Sequence, residues 1–600
     1  MIDFSELPPE TLLAARGIEV RFPDGQGTRA VVDRVDFHVP RNRVTALVGS
    51  SGSGKTQLLH ALLGLTQGKP GLTAGQAVLQ PEPGQIIPLL VSPTPGACPR
   101  FVASYENIKF HVCVVFQGSD SHLAPFHTVR AQFLAHRRLL SRNGERASTS
   151  DTEYVRAKLE PLFPDRDSRD EVAGRFPAEL SGGQRTRVSV CLALASPAPF
   201  LIADEPTTGL DPGLRAEIYL RLRHEIEQSK RSLLLITHDV DLVARIADDI
   251  WVMRDGLIVE HLNRGADGEL RDPYSRMLFQ PLDEIACGLG EDREAPGRKS
   301  GAASPRASGD SSPSRSCPAR PSSQRAVLLQ ASGLRKGFRS RASADGARDM
   351  LWAVNGVDLR LLRGESVGLV GESGCGKSTL ARLLAGLLPP DEGSVVVFGG
   401  DSGRAMRPGD AAYRSCVQLL HQNPDALLHP RVTVRELCRD SLQLWRRNCR
   451  FEAVEDFLRY ARVDDSRADQ YPQSLSGGER RRIGLSRVLA GRPQLVIADE
   501  IASGLDRVLQ AWILRYLRGL REEQTTLVII SHDLDFVRHA CDRVLIMKAG
   551  KIEEECAAKD LCKGRGTHCQ HTLDLLRSES LDPGPACERA MPLTARRASP

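Results

Sequence analysis

Two octapeptides carry the plainest chemistry in the chain: Gly49-Ser50-Ser51-Gly52-Ser53-Gly54-Lys55-Thr56 and Gly371-Glu372-Ser373-Gly374-Cys375-Gly376-Lys377-Ser378. Both fit Gly-x-x-x-x-Gly-Lys-[Ser/Thr]. In that pattern glycines let backbone N–H groups approach phosphate oxygens, the lysine reaches the β and γ phosphates, and the hydroxyl binds Mg²⁺. Lys55 with Thr56, and Lys377 with Ser378, are expected in those roles. Two carboxylate pairs, Asp204-Glu205 and Asp499-Glu500, close short apolar runs further along. Their aspartates suit Mg²⁺ held through water, and their glutamates suit orienting or polarising an attacking water. The chemistry these groups point to is hydrolysis of a nucleoside triphosphate, at two places.

Periodicity shows the elements that must position these groups. Apolar runs 44–48 and 366–370 lead into the glycine-rich loops. Leu58, Leu59, Leu62 and Leu63, and Leu380, Leu383, Leu384 and Leu387, follow them at helical spacing, so each loop is expected between a strand and a helix. Runs 199–203, 232–236, 494–498 and 526–530 are short and dominated by apolar side chains, as strands buried on both faces of a parallel sheet should be. Residues 128–180 and 432–474 are more polar and read as a smaller helical subdomain. The order of these features then repeats. LSGGQ at 180–184 returns as LSGGE at 475–479, LIADE at 201–205 as VIADE at 496–500, and ITHD at 236–239 as ISHD at 530–533. Ser181 and Ser476 each precede their aspartate, Asp204 or Asp499, by 23 residues, so the chain is two copies of one α/β module.

Composition narrows the class. The 600 residues carry 80 Lys and Arg against 75 Asp and Glu, and a net charge of +5 is too small to argue for nucleic acid. At 41% hydrophobic and 26% charged residues, the chain should fold and bury cores. It contains no run of 18 apolar residues and opens on no charged-then-apolar leader, so neither a membrane span nor secretion is expected. The 14 cysteines are scattered without a CxxC pair, which suits reduced thiols. Residues 291–325 hold 17 Ser, Pro and Gly and six Arg in 35 positions, a composition that cannot bury a core. As a tether it would reach about 30–35 Å. The expected organisation is a nucleotide-binding domain over 1–285, a disordered Ser/Pro/Arg-rich linker over 286–326, a second nucleotide-binding domain over 327–577 and a flexible tail over 578–600.

The combination of phosphate loop, LSGG[QE], ADE and [TS]HD resembles the nucleotide-binding domains of ATP-binding-cassette (ABC) proteins, over about 20–270 and 328–560. The resemblance implies two P-loop NTPase domains, each with a mainly parallel sheet core and a helical signature subdomain, ATP and Mg²⁺ as cofactors, and head-to-tail closure around two ATP molecules. Ser181, Gly182, Gly183 and Gln184 would then face the nucleotide on Lys377, and Ser476, Gly477, Gly478 and Glu479 the one on Lys55. A serine and N–H groups at a helix start suit a γ-phosphate. By the same resemblance His238 and His532 are switch histidines that contact the γ-phosphate. Gln117 and Gln422 sense Mg²⁺ and touch a transmembrane partner, although His421 stands before Gln422 where Phe is more usual. Asp211 and Asp506 match the loop that links the two sites, and Ile501 replaces a common proline. Phe22 and Phe338 stand where a tyrosine commonly stacks on adenine; the phenyl ring keeps the π face, and core packing is the other reading. Both sites keep their glutamate and histidine, so two hydrolytic sites are expected.

Two functional classes fit this family. One is the ATPase pair of an importer, at the cytoplasmic face of the cell membrane, docked on separate integral-membrane permease subunits served by an extracytoplasmic solute-binding protein. The other is a soluble tandem ATPase acting on ribosomes or DNA. Translation-type members carry a long charged helical linker and DNA-repair relatives carry cysteine-paired zinc modules; this sequence has neither pattern, and no nucleic acid partner is expected. The segment Arg271-Asp272-Pro273-Tyr274-Ser275-Arg276 resembles the HPYT segment of ATPases serving oligopeptide, dipeptide and nickel importers. Cys569-Gln570-His571-Thr572 stands at the corresponding place in the second half without the Pro and Tyr, and HQNPDALLHPRVTVREL at 421–437 and LDRVLQ at 505–510 also look like those systems. Cys556, Cys562 and Cys569 with His568 and His571 match no standard zinc spacing and read as scattered thiols. Cys375 is expected to react with thiol reagents, with ATP protecting it. The first module spends 62 positions from Lys55 to Gln117 against 45 from Lys377 to Gln422. The Pro- and Gly-rich stretch near 81–99 is expected to be a surface insertion.

Overall fold

The structure is a computed structural model that describes residues 7–24, 27–50, 52–66, 71–91, 98–103, 108–116, 123–140, 150–207, 210, 212–263, 270–280, 282, 285, 326–339, 350–372, 374–399, 404–420, 428–446, 448–475, 477–503, 505–561 and 569–579. Ser51, Gln117, Asp211, Ser373, His421, Gln422, Ser476, Cys562, His568 and the linker residues 286–325 lie outside the described residues. The chain forms two compact units, one of Met1–Gln280 with Ser503–Val508 and Leu573–Pro600, the other of Pro281–Ala502 with Leu509–Thr572.

The first unit contains β1 (Thr11–Asp24), β2 (Gly27–Pro40), β3 (Val44–Val48), β4 (Gly71–Leu79), β5 (Ile87–Val91), β6 (Arg100–Phe101), β7 (Val112–Val115), β8 (Phe200–Asp204), β9 (Ser232–Ile236), β10 (Asp249–Arg254) and β11 (Leu257–Asn263). Its central sheet runs β11-β10-β3-β9-β8-β7, parallel throughout except for the β10–β11 hairpin. Every residue of β3, β8 and β9 is buried, and the period-two alternation divides their side chains between two cores. Val44, Ala46, Val48, Leu201 and Leu233 face a core shared with the helical subdomain. Leu47, Ile202, Leu234 and Ile236 pack on the helix Lys55–Leu62 and on a second, antiparallel sheet of order β2-β1-β4-β5-β6. Each such Leu or Ile contributes about 1.5–3 kcal/mol by leaving water, so the strand ends that carry the chemistry rest on the most buried part of the unit.

Within the stretch near 81–99, residues 82–86 are exposed as a surface insertion should be, whereas β5 corrects that expectation. This strand pairs antiparallel with β4, β6 pairs with β5, and Leu89 and Leu90 are buried in the core beneath. The insertion widens the antiparallel sheet and is partly a core element.

The second unit repeats the plan with β12 (Val327–Arg339), β13 (Met350–Leu362), β14 (Ser366–Val370), β15 (Glu392–Gly399), β16 (Arg404–Met406), β17 (Val417–Leu420), β18 (Leu495–Asp499), β19 (Thr526–Ile530), β20 (Arg543–Lys548) and β21 (Lys551–Ala557). Its central sheet, β17-β18-β19-β14-β20-β21, has the order of the first read in reverse, and β13-β12-β15-β16 forms the antiparallel sheet. The polar stretches form the helices Val129–Leu140, Asp151–Leu159 and Arg166–Gly174 in one unit, and Val434–Leu444 and Val454–Ala461 in the other. Their starts are locally encoded. Ser150, Asp165 and Thr433 cap three of them, Thr433 in a capping box with Glu436.

Candidate active sites

Each glycine-rich loop leaves the end of a buried strand and opens a helix. Gly49 has φ 154°, and a Cβ on it would stand 2.0 Å from the Met253 carbonyl oxygen; at Gly371, with φ 152°, the distance to the Met547 oxygen is 2.2 Å. Only glycine lets the loop pass that close to the neighbouring strand. No side chain caps the helices Lys55–Leu62 and Lys377–Leu384 at Gly54 and Gly376, so their first-turn N–H groups are suited to an anion. Lys55 is only 6% exposed, and its Nζ donates to the Gly49 and Ser50 carbonyl oxygens at 2.9 Å each. Lys377 does the same to Gly371 at 2.7 Å and Glu372 at 2.8 Å. Burial pushes the Lys55 ammonium below its ordinary pKa, with Glu205 and Asp204 opposing. A phosphate entering this cradle supplies the counter-charge that a buried ammonium requires.

Asp204 ends β8 and is 1% exposed; neither carboxylate oxygen has a hydrogen-bond partner among the described residues, although the Thr56 hydroxyl is near enough to act on it. Burial, reinforced by the neighbouring Glu205, pushes its pKa up to about 6. In the second unit the Ser378 hydroxyl donates to Asp499 Oδ1 at 3.3 Å. A buried carboxylate with orphaned oxygens beside a hydroxyl fits a hard divalent cation that keeps several waters, so these residues suit Mg²⁺.

Glu205 and Glu500 follow with φ of 44° and 51°, a left-handed conformation that costs a non-glycine residue about 1–3 kcal/mol. Their N–H groups donate to the Ile236 and Ile530 carbonyls at 2.8 and 2.9 Å, so the adjacent strand holds each turn in place. Glu205 Oε1 lies 3.2 Å from His238 Nδ1, within hydrogen-bond reach, and Glu500 Oε1 lies 3.7 Å from His532 Nδ1. The neighbouring His532 holds Glu500 below the usual carboxylate range against the opposing effect of burial. The [TS]HD string explains how each imidazole is presented. Thr237 and Ser531 accept the N–H of Asp239 and Asp533 at 3.1 and 3.0 Å, and those aspartates cap the helices Val240–Ile246 and Leu534–Ala540. The histidine sits in a turn that the string itself builds.

Ser181 caps the helix Gly182–Leu194 in a capping box, its hydroxyl accepting the Gln184 N–H at 3.2 Å while its own N–H donates to Gln184 Oε1 at 3.0 Å. Ser181 and Gly182 are exposed; Gly183 and Gln184 are half-buried. Gly477, Gly478 and Glu479 begin the matching helix Gly477–Leu489, where Glu479 lies 3.8 Å from Arg467. Phe22 is half-buried against the core of its unit, which favours packing there, whereas Phe338 is 46% exposed on β12. Cys375 is buried, its thiol pKa is raised by burial and Lys377 Nζ lies 3.8 Å away. The expectation of ready thiol modification therefore meets a shielded, protonated sulfur. Cys569 Sγ lies 3.2 Å from the Thr572 hydroxyl, and burial pushes Cys556 up to about 11. Among the described residues no group of three or more His, Cys, Asp or Glu is placed to hold a metal, and no helix is long and apolar enough to cross a membrane.

Further contacts brace the loops, and no local sequence pattern reports them as contacts. The turn Asp255-Gly256 between β10 and β11 donates the Gly256 N–H to the Ser53 carbonyl at 3.0 Å, and Gly550 does the same to Cys375 at 3.0 Å. Tyr274, from the segment resembling HPYT, accepts the Ser50 N–H on its phenol oxygen at 2.7 Å across 224 residues of sequence. Sequence separation of that size hides such a contact from any local pattern.

A family profile described as ABC transporter matches residues 32–208 and 354–503. The chain is 32% identical over 558 residues to the glutathione import ATP-binding protein GsiA of Pectobacterium atrosepticum, covering 91% of this chain and 86% of that protein. It is 30% identical over 574 residues to the peptidoglycan transport ATP-binding protein YejF of Agrobacterium fabrum, covering 93% and 94%. Among solved structures, one titled RNase-L Inhibitor aligns over 90% of both chains with a TM-score of 0.54 at 19% identity, a likeness of fold alone.

Proposed function

Since the chain belongs to the ABC transporter family and is an ATP-binding ATPase of two repeats, we propose that it energises an importer for a peptide-like solute. It would dock on separate permease subunits served by an extracytoplasmic solute-binding protein, at the cytoplasmic face of the membrane. The observation that supports this reading is full-length likeness, through both modules, to proteins named for glutathione import and peptidoglycan transport.

In this reading Lys55 and Lys377 leave their loop carbonyls for the β and γ phosphates, and the helix starts behind them bind the same oxygens through N–H groups. Thr56, Ser378, Asp204 and Asp499, with Gln117 and Gln422, hold Mg²⁺, which when bound neutralises charge on the phosphate oxygens. Glu205 and Glu500 orient and polarise the attacking water, and His238 and His532 fix the glutamates and face the γ-phosphate. Ser181 and Ser476 serve as γ-phosphate ligands, so ATP draws the two modules together and its hydrolysis lets them part. The glutamine loops pass that motion to the permease. The linker 286–326 works as a tether that permits it.

The test is mass spectrometry of what co-purifies with the tagged chain from gently solubilised membranes of its own host. Two polytopic permease subunits are expected. Ribosomal proteins or DNA-repair factors without a permease would overturn the importer reading and leave a soluble mechanical ATPase.

A further inference from the structure

The Gly49–Ser50 peptide unit is gripped from both sides. Its carbonyl oxygen accepts Lys55 Nζ at 2.9 Å, and its N–H donates to Tyr274 Oη at 2.7 Å. In a trans peptide these two groups point in opposite directions, so the lysine and the tyrosine together fix the plane of the peptide at the mouth of the loop. Tyr274 is 5% exposed, and its own position is set in three ways. Asp272 caps the helix Pro273–Phe279 by accepting the N–H groups of Tyr274 and Ser275 at 2.9 and 3.0 Å. Glu260 on β11 accepts the Arg271 N–H at 2.6 Å, and the Arg254 guanidinium lies over the tyrosine ring at 5.1 Å from its centroid. A rigid element is thus anchored to the edge hairpin and delivers one phenol oxygen to one loop N–H.

Resting on the reading of this loop as the first nucleotide site, we propose that Tyr274 is a positioning residue that holds the Gly49–Ser50 peptide in its phosphate-binding orientation once Lys55 has left it. With nucleotide bound the lysine is committed to phosphate oxygens, and the tyrosine bond alone resists rotation of the peptide. The second module is built differently at the same place. There the corresponding residue is His571, 5% exposed, with Nδ1 3.7 Å from Glu372 Oε1 and Nε2 without a hydrogen-bond partner among the described residues. Thr572 and Cys569 beside it are pinned by Glu554 on β21, the counterpart of Glu260, so the same anchored helix carries a different group to the loop. The two nucleotide sites therefore differ in what stiffens them: a neutral phenol on the first, an imidazole near a loop carboxylate on the second.

The experiment photolabels the full chain with 8-azido-ATP over a concentration series and maps the label to each half by peptide mass spectrometry. Tyr274→Phe removes the acceptor and keeps the ring; Tyr274→His installs the second module's residue. Both are expected to raise the concentration for half-labelling of the first half up to about tenfold, as loss of one well-formed, partly buried hydrogen bond allows. The second half should label as in wild type, and the nucleotide-free melting temperature should fall by no more than about 5 °C. In steady state the expected change is a raised KM for ATP with kcat kept. First-half labelling at the wild-type concentration in both variants would overturn the proposal. So would parallel loss of label in both halves with a larger fall in the nucleotide-free melting temperature, the mark of a merely structural side chain. Because labelling needs no permease, the proposal stands or falls apart from the importer reading. Absence of label on either half of the wild type would overturn the nucleotide sites themselves and this proposal with them.

Discussion

Asp204 is the side chain placed most clearly at the expense of stability. Its burial raises the pKa from an ordinary aspartate value to about 6, so in metal-free protein at neutral pH the folded state carries an ionised carboxylate it would rather protonate. Two pKa units correspond to about 3 kcal/mol, a penalty fully present above pH 6. It is relieved as pH falls from about 6 towards 4, where the folded state binds a proton that the unfolded state does not yet hold. Asp204→Asn should therefore raise the melting temperature of the chelator-treated protein by a few degrees at pH 7.5, lose most of that gain by about pH 4, and lose hydrolysis at the first site. Thermal melts across that pH range check it, and an unchanged or lowered melting temperature at pH 7.5 would contradict it. The residue types here were readable because Gly-Lys-Thr and Asp-Glu bring their chemistry with them. The left-handed φ of Glu205 and the orphaned oxygens of Asp204 were not, because both arise from how β8 and β9 end side by side.

The elements were legible where burial is two-sided. β3, β8, β9 and their counterparts β14, β18 and β19 have no solvent face, so the sequence writes them as near-continuous apolar runs. The strand within the stretch near 81–99 was not legible because Pro88 sits inside β5, and a proline that removes a ladder donor is the usual sign against a strand. Its neighbours Leu89 and Leu90 are nonetheless 4% and 1% exposed. Leu90→Ala should cost the first module about 2–4 kcal/mol, visible as a lower melting temperature or denaturant midpoint, whereas a true surface insertion would tolerate it. The edge hairpins and the helices after them were the least legible elements of the site. What Gly256, Gly550 and Tyr274 do depends on contacts with loops about 200 residues away in sequence, and neither hydrophobic period nor turn chemistry reports on those.

At the scale of the whole molecule, duplication made the candidate sites readable: a motif seen once is a pattern, and the same four motifs in the same order at near-identical spacing are a machine part used twice. The structure gives each module its own lysine in the loop, hydroxyl beside an aspartate, strained glutamate and facing histidine. It also gives them unequal detail, with 3.2 Å between glutamate and histidine in the first and 3.7 Å in the second. That geometry supports the proposal of two hydrolytic sites. The direct measurement is steady-state ATP turnover of the full chain with Glu205→Gln, Glu500→Gln and both. Each single variant should retain measurable turnover at about half the wild-type rate or below, and the double variant should lose at least about a hundredfold, the scale of a removed general base. Glu205→Gln turning over at the wild-type rate while Glu500→Gln alone abolishes hydrolysis would contradict the account and leave the first module a binding site without chemistry.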